Sequence, residues 1–332
     1  MNYIGSKLSL IDFIRNTIGY VTDFKSGEGR VFADLFSGTG VVGSAYKEMG
    51  YSVIANDIQY YSFVLNKHFI ENISMLDNGR LDFLNSLCGV EGFVYKNYCA
   101  GSDSGRNYFT DENGKKCDAI RTELELLYRN GEIAAPEYFY YLASLVNSID
   151  KYANTASVYS AFLKHLKKSA QRDFKLELLP IIPGSKGKAF NEDANLLINK
   201  ISGDILYLDP PYNTRQYCTN YHVLETVARY DNPVLNGKTG LREYGNQKSK
   251  YCSIKTVAGA IDELIRNARF KYIFLSYNNE GLMDFDLIKA IMSKYGEYTC
   301  FTQDYRRFKA DKDINRQISA DTTTEYIHCL IK

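Results

Sequence analysis

The sequence has no CxxC pair, no HExxH motif and only four scattered histidines, so nothing in it spells a zinc site or any other metal site. Its seven cysteines are odd in number and widely spaced, which argues against a disulfide framework and for reduced thiols in a cytoplasm. Long apolar runs are missing too. No stretch approaches the roughly 18 apolar residues that a membrane span needs, and the first twenty residues carry charges through their apolar part. Neither a membrane span nor a signal peptide is expected, and no membrane partner. Charge of one sign is not in excess: 40 Lys and Arg meet 39 Asp and Glu, a net charge of +1. A surface for nucleic acid would therefore have to come from local clusters of basic residues. No internal repeat or low-complexity tract is visible.

What is present is an ordinary globular composition, 45% hydrophobic and 24% charged over 332 residues, enough for a catalytic domain and one substantial insertion. From Arg30 to Asp57 the pattern is strand (RVFADLF), tight loop (SGTG), helix (VVGSAYKEMG) and strand (YSVIAND), the opening of a parallel α/β sheet. Beyond Phe63 the spacing predicts longer helical stretches. A polar interval from Tyr95 to Lys116 holds the turn signal Asn113-Gly114. Helices are predicted over Pro136 to Asn147 and, with a basic face, over Val158 to Lys175. Strand signals return at Asp204 to Leu208, Lys271 to Ser276 and Glu325 to Ile331, the second half of the same sheet.

Gly38-Thr39-Gly40-Val41-Val42-Gly43 satisfies GxGxxG between a predicted strand and helix, where bare backbone lets a nucleotide come close. Asp57 ends the second strand, where a carboxylate can accept hydrogen bonds from ribose hydroxyls. This half suits an adenosine-containing cofactor. It does not separate a dinucleotide, and thus a nicotinamide-dependent oxidoreductase, from S-adenosylmethionine.

Asp209-Pro210-Pro211-Tyr212 makes the separation, because it directly follows the predicted strand DILYL, at the edge where open α/β sheets bind ligands. The lone pair of an aromatic amine is delocalised into its ring. A carboxylate at Asp209 and the carbonyl of Pro210 would accept from the two hydrogens of such an amine and localise that lone pair. The prolines stiffen the segment and bring no N–H that would repel an amino group. Tyr212 can stack on a base swung out of its duplex. Covalent methylation at carbon 5 of cytosine lacks its Pro-Cys signature.

Tyr3-Ile4-Gly5-Ser6-Lys7, Asp34-Leu35-Phe36-Ser37-Gly38-Thr39-Gly40, Asn56-Asp57-Ile58 and Asp209-Pro210-Pro211-Tyr212 occur in an order that resembles the adenine-specific DNA methyltransferases of the Dam-like group, which includes many type II restriction-modification methylases. The resemblance spans nearly the whole chain, with the DPPY tetrad its most specific part. It implies a Rossmann-like, mostly parallel sheet flanked by helices, of the class I S-adenosylmethionine-dependent kind, with an inserted helical target-recognition region. It also implies transfer of the methyl group of S-adenosylmethionine to N6 of a flipped-out adenine. Tyr3, Lys7, Asp34, Phe36, Ser37, Gly38, Gly40, Asp57 and Ile58 would then line the cofactor, with Lys7 near its carboxylate. Ser6 stands where many members have a second glycine. Asp193 matches the acid that the family places near the cofactor adenine, and helix N-capping is its rival role. An RNA adenine methyltransferase would share this chemistry, but the large insertion favours double-stranded DNA. A cognate restriction endonuclease is implied in the same system without a stable complex.

Basic residues cluster at Lys164, Lys167, Lys168, Arg172 and Lys175, at Lys238, Arg242, Lys248, Lys250 and Lys255, and at Arg306, Arg307 and Lys309. Among them Lys167, Lys168 and Lys248 are the expected phosphate contacts, with Arg215 and Tyr217 beside the target pocket. The expected division is a cofactor half over 1–70, an inserted recognition region over 71–180, for which 232–254 competes, and a catalytic half over 181–332.

Overall fold

The computed structural model describes residues 4–74, 76, 78–306 and 322–332. They pack as two compact units.

The unit made of Gly5–Ile73, Ile182–Tyr217 and Gln247–Lys332 holds a seven-stranded sheet. Its strands are Val31–Asp34 (β1), Ser52–Asn56 (β2), Lys188–Phe190 (β3), Gly203–Leu208 (β4), Phe270–Asn278 (β5), Glu297–Arg306 (β6) and Thr322–Ile331 (β7). Their spatial order is β3-β2-β1-β4-β5-β7-β6. The first five are parallel, and β7 runs antiparallel between β5 and β6. Because side chains alternate across a strand, a sheet covered on both faces must be apolar at nearly every position. Strand β4 obeys this: Ile205 and Tyr207 face one core with Phe32, Val53 and Phe274, against Ile14 and Ile18 of helix Ile11–Thr22 (α1) and Val42 and Tyr46 of helix Val41–Glu48 (α2). Leu206 and Leu208 face the other core with Ala33, Leu35 and Leu275, against the helices Val257–Asn267 and Phe285–Met292. This is the Rossmann-like α/β sheet with helices on both faces. Strands β3 and β6 add to the elements read from the sequence, and the helix Ala194–Leu197 is the one that N-capping by Asp193 called for.

The other unit comprises Ile4, Ser74–Ile181 and Cys218–Asn246. Its recruitment of 218–246, out of the stretch 181–332 expected to complete the sheet, has a local cause. Helix His222–Arg229 buries every residue from His222 to Ala228. The Arg121 guanidinium, on helix Asp111–Arg129, donates to the carbonyls of Val227 and Ala228 and so caps its last turn. A small antiparallel ribbon, Leu235–Asn236 with Leu241–Arg242, follows. Helix Ala135–Lys151 contains the predicted 136–147 stretch.

Two expectations fail in this unit. Asn113-Gly114 lies inside the helix Asp111–Arg129, not in a turn. Thr110 caps that helix, and Gly114 is needed because a Cβ there would meet Cys99 Sγ at 2.0 Å. Residues 158–175 form no helix. Their backbone groups are taken by two asparagine side chains in place of a helical ladder. Asn154 donates to Leu163 O and accepts from Lys167 N, while Asn113 donates to Ala170 O and Arg172 O and accepts from Phe174 N.

None of the seven cysteines is joined to another in a disulfide. Among the described residues no helix is long and apolar enough to cross a membrane.

Candidate active site

The carboxyl edge of the sheet collects most of the residues singled out above. After β1 the chain makes the glycine loop. The N–H of Ser37 donates to Asn56 O, and its hydroxyl donates to the same oxygen, so β1 and β2 are tied at their ends. Gly38 and Gly40 take left-handed φ values of 50° and 79°. A Cβ on Gly40 would lie 2.9 Å from Asn66 Oδ1, so the loop closes against that side chain only with glycine there. Asn66 also donates to Gly38 O. Phe36 packs edge-on against Tyr251. Asp57 accepts from the N–H of Gly38 at 2.9 Å and of Gln59 at 2.8 Å, with Ile58 half-buried beside it.

Asp34 is buried, and its Oδ1 has no partner. Burial, and then the negative charge of Asp209, hold its carboxyl well above the ordinary range, against the pull of the Phe36 and Gly43 N–H groups. Asp193 N-caps the helix Ala194–Leu197, with Oδ1 accepting from the N–H groups of Asn195 and Leu196. The capping role is present in the structure.

At the end of β4, Pro210 is buried and Pro211 and Tyr212 are half-buried. The Tyr212 ring meets Tyr277 edge-on, and its carbonyl accepts from Leu282 N. Asp209, 15% exposed, lies 3.0 Å from the ammonium of Lys7. Burial pushes the Asp209 carboxyl up to about 6; Lys7 lowers it and Glu325 raises it. Lys7 is 4% exposed and bonds Glu325 as well, at 2.8 Å. Burial favours its neutral form, but the attraction of Asp209 and Glu325 outweighs that and keeps Lys7 charged.

The ammonium expected to reach a cofactor carboxylate is thus turned to Asp209. Glu325, on β7, went unnoticed in the sequence, where only the alternation of a strand marks it. Asn56 was read only as part of the Asn56-Asp57-Ile58 motif; its side chain binds Leu35 O, Glu192 O and Glu192 N and so ties the ends of β1, β2 and β3.

Gly5, with φ of 80°, faces Tyr217, whose hydroxyl would lie 2.7 Å from a Cβ at that position. Arg215 is exposed, and Asn213 holds its N–H in a tight turn. Lys248 and Lys168 are exposed. Lys167 differs from them: its ammonium donates to Thr155 O, and burial lowers its pKa. Tyr3, Arg307 and Lys309 lie outside the described residues.

In a sheet of order β3-β2-β1-β4-β5-β7-β6, the glycine loop after β1 and DPPY after β4 stand at one edge, at the ends of neighbouring strands. The family model described as D12 class N6 adenine-specific DNA methyltransferase matches residues 3–291. The chain belongs to this family. It is 50% identical to the type II methyltransferase M.NlaIII of Neisseria lactamica over 335 residues, covering 100% of this chain and 99% of that protein. It is 34% identical to the type II methyltransferase M.CviAII of Paramecium bursaria Chlorella virus 1, covering 93% of each. With the type II methyltransferase M.FokI of Planomicrobium okeanokoites it shares 39% identity, over 93% of this chain but 50% of that longer protein. Membership in this family decides between the adenine-methylation reading and the oxidoreductase and RNA readings.

Proposed function

We propose that the chain transfers a methyl group from S-adenosylmethionine to N6 of one adenine swung out of double-stranded DNA, as the modification enzyme of a type II restriction-modification system. The observation that carries this reading is the placement of Asp209-Pro210-Pro211-Tyr212 at the carboxyl end of β4, one strand from the glycine loop.

The residues present fit the cofactor, because Asp34 Oδ1, at the end of β1 where the glycine loop begins, is a buried polar atom without a partner. Ser37 and Gly38 belong to the loop, Phe36 precedes it and Ile58 follows Asp57. A carboxylate has about four acceptor sites, so Asp57 can serve two backbone amides and ribose hydroxyls together. When bound, S-adenosylmethionine supplies an electrophilic methyl group. Asp209 Oδ1 is engaged by Lys7, so Oδ2 accepts one N6 hydrogen and the Pro210 carbonyl accepts the other. The amine nitrogen becomes pyramidal, and Asp209 opposes the positive charge that develops on it. A carboxyl with a pKa near 6 can then hold the proton that N6 gives up. Tyr212 offers a ring to the extruded base. Arg215, Tyr217, Lys168 and Lys248 serve the DNA strand, with Lys167 committed to Thr155 instead.

The test is direct. Purified protein is incubated with unmethylated DNA and methyl-labelled cofactor, the DNA is digested to nucleosides, and mass spectrometry identifies the product. Labelled N6-methyldeoxyadenosine is the expected product. Methylcytosine, or no product, overturns the reading.

A further inference from the structure

Behind Asp209 lies a buried group of polar side chains drawn from three separate parts of the chain. Lys7 comes from the N-terminal segment, Ser276 from β5 and Glu325 from β7. Glu325 lies beyond residues 3–291, the part matched by the family model. It is 1% exposed, and its Oε1 accepts from both Lys7 Nζ (2.8 Å) and Ser276 Oγ (2.5 Å), while Oε2 is buried with no partner. Burying a carboxylate oxygen that no donor meets is costly. A chain that needed only to neutralise Asp209 would place one lysine there. This one spends a second buried acid on the same ammonium.

We propose that Glu325, supported by Ser276, is a positioning residue of the methyl-transfer site: it pins Lys7 from behind, fixes the ammonium on Asp209 Oδ1, and leaves the group with one net negative charge facing the target amine. The proposal rests on the methyl-transfer reading of the DPPY site. Two carboxylates and one ammonium sum to −1. With Lys7 and Asp209 alone the sum would be zero, and the charge growing on N6 would meet a neutral pair. With Glu325 present, Lys7 is shared, so Asp209 keeps enough negative character to oppose that charge. Ser276 limits the sharing by donating to the same oxygen that Lys7 approaches. The Lys7 ammonium, 5.6 Å from the centre of the Tyr212 ring, is placed to hold that ring as well.

Asp209 is faced by Lys7, by Glu325 from β7, by Tyr207 of the strand before it and by Asp34 of β1; Tyr212 faces Lys7, and Asp57, after β2, faces Asp34. Changing Glu325 or Ser276 leaves the others in place. The test uses the full chain without cofactor. The Asp209 carboxyl is followed through its pH titration by carbon-13 NMR and assigned by its loss in Asp209→Asn. Glu325→Gln keeps shape but removes a negative charge, so the Asp209 midpoint is expected to fall, by about half a pH unit or more. Ser276→Ala leaves Glu325 charged but takes away its second donor, so Glu325 draws harder on Lys7 and the midpoint is expected to rise. The acid limb of the kcat–pH profile should move with each, at unchanged cofactor Kd. Shifts of opposite sign are what a merely structural pair would not produce.

Unmoved midpoints, or midpoints moving the same way, overturn the proposal. So does a Glu325→Gln chain with weakened cofactor binding and an unmoved midpoint, which assigns Lys7 to the cofactor. If Glu325→Gln fails to fold, the Ser276→Ala direction decides. A wild-type chain that makes no N6-methyladenine while the midpoints shift as stated overturns the functional reading and keeps the charge network.

Discussion

At the end of β2 the Asp57 carboxylate is gripped by two main-chain N–H groups, whereas at the end of β4, two strands away, Asp209 rests against a buried ammonium. Backbone amides are neutral dipoles fixed by the fold. They set where a carboxylate points and leave its charge nearly whole. An ammonium opposes that charge directly and can be shared with a second acid, so the charge at Asp209 depends on what surrounds Lys7. One edge of one sheet therefore carries an acid built to hold a shape and an acid built to be tuned. Asp193, close by after β3, is a third kind, used as a helix cap.

Substitutions can break that contrast. The largest effect is expected for Asp209→Ala, which should fold and bind cofactor yet lose about 100- to 1000-fold in the rate of methyl transfer, the usual cost of one preorganised electrostatic group. Single-turnover assays with saturating DNA and cofactor read this step; a rate constant near wild type would remove Asp209 from the chemistry. Asp57→Ala should weaken cofactor binding by about 1.5–3 kcal/mol, as for a charged acceptor, and leave DNA affinity as it was. Calorimetric titration checks both, and a cofactor Kd that does not move would reduce Asp57 to a brace for the glycine loop. Asp193→Ala should have the smallest effect, a loss of about 0.5–2 kcal/mol of stability, seen as a lower Tm with cofactor affinity intact. An unchanged Tm with weaker cofactor binding would reverse that assignment.

The opening of the sheet was readable from residue types because its pieces are local, whereas strands β3 and β6 were not read. A strand, a glycine loop, a helix and a terminal acid lie within 28 residues from Arg30 to Asp57, and the buried strands β4 and β5 announce themselves as apolar runs. The DPPY tetrad was readable for the same reason. What escaped depends on partners far away in the chain. Residues 158–175 have helical spacing, but Asn113 and Asn154 take their backbone groups first. Asn113-Gly114 is a turn dipeptide until Cys99 requires a residue without a side chain inside a helix. Glu325 is 318 residues from Lys7, and no spacing rule joins them.

The pairing of β1 with β4 has a consequence for how the molecule is made. Val31 N donates to Asp204 Oδ2 across 173 residues, and Phe32 lies in register with Ile205 at the centre of the sheet. On a ribosome, β1, α2 and β2 emerge early but have no β4 to close against, and the whole of 74–181 is synthesised before the sheet centre can zip. Bringing strands so far apart in the chain together costs closure entropy, even though 74–181 packs within its own unit. The apolar faces of β1 and β2 thus spend that interval uncovered on one side, and the earliest-made strands are the ones a nascent chain leaves most open to wrong partners.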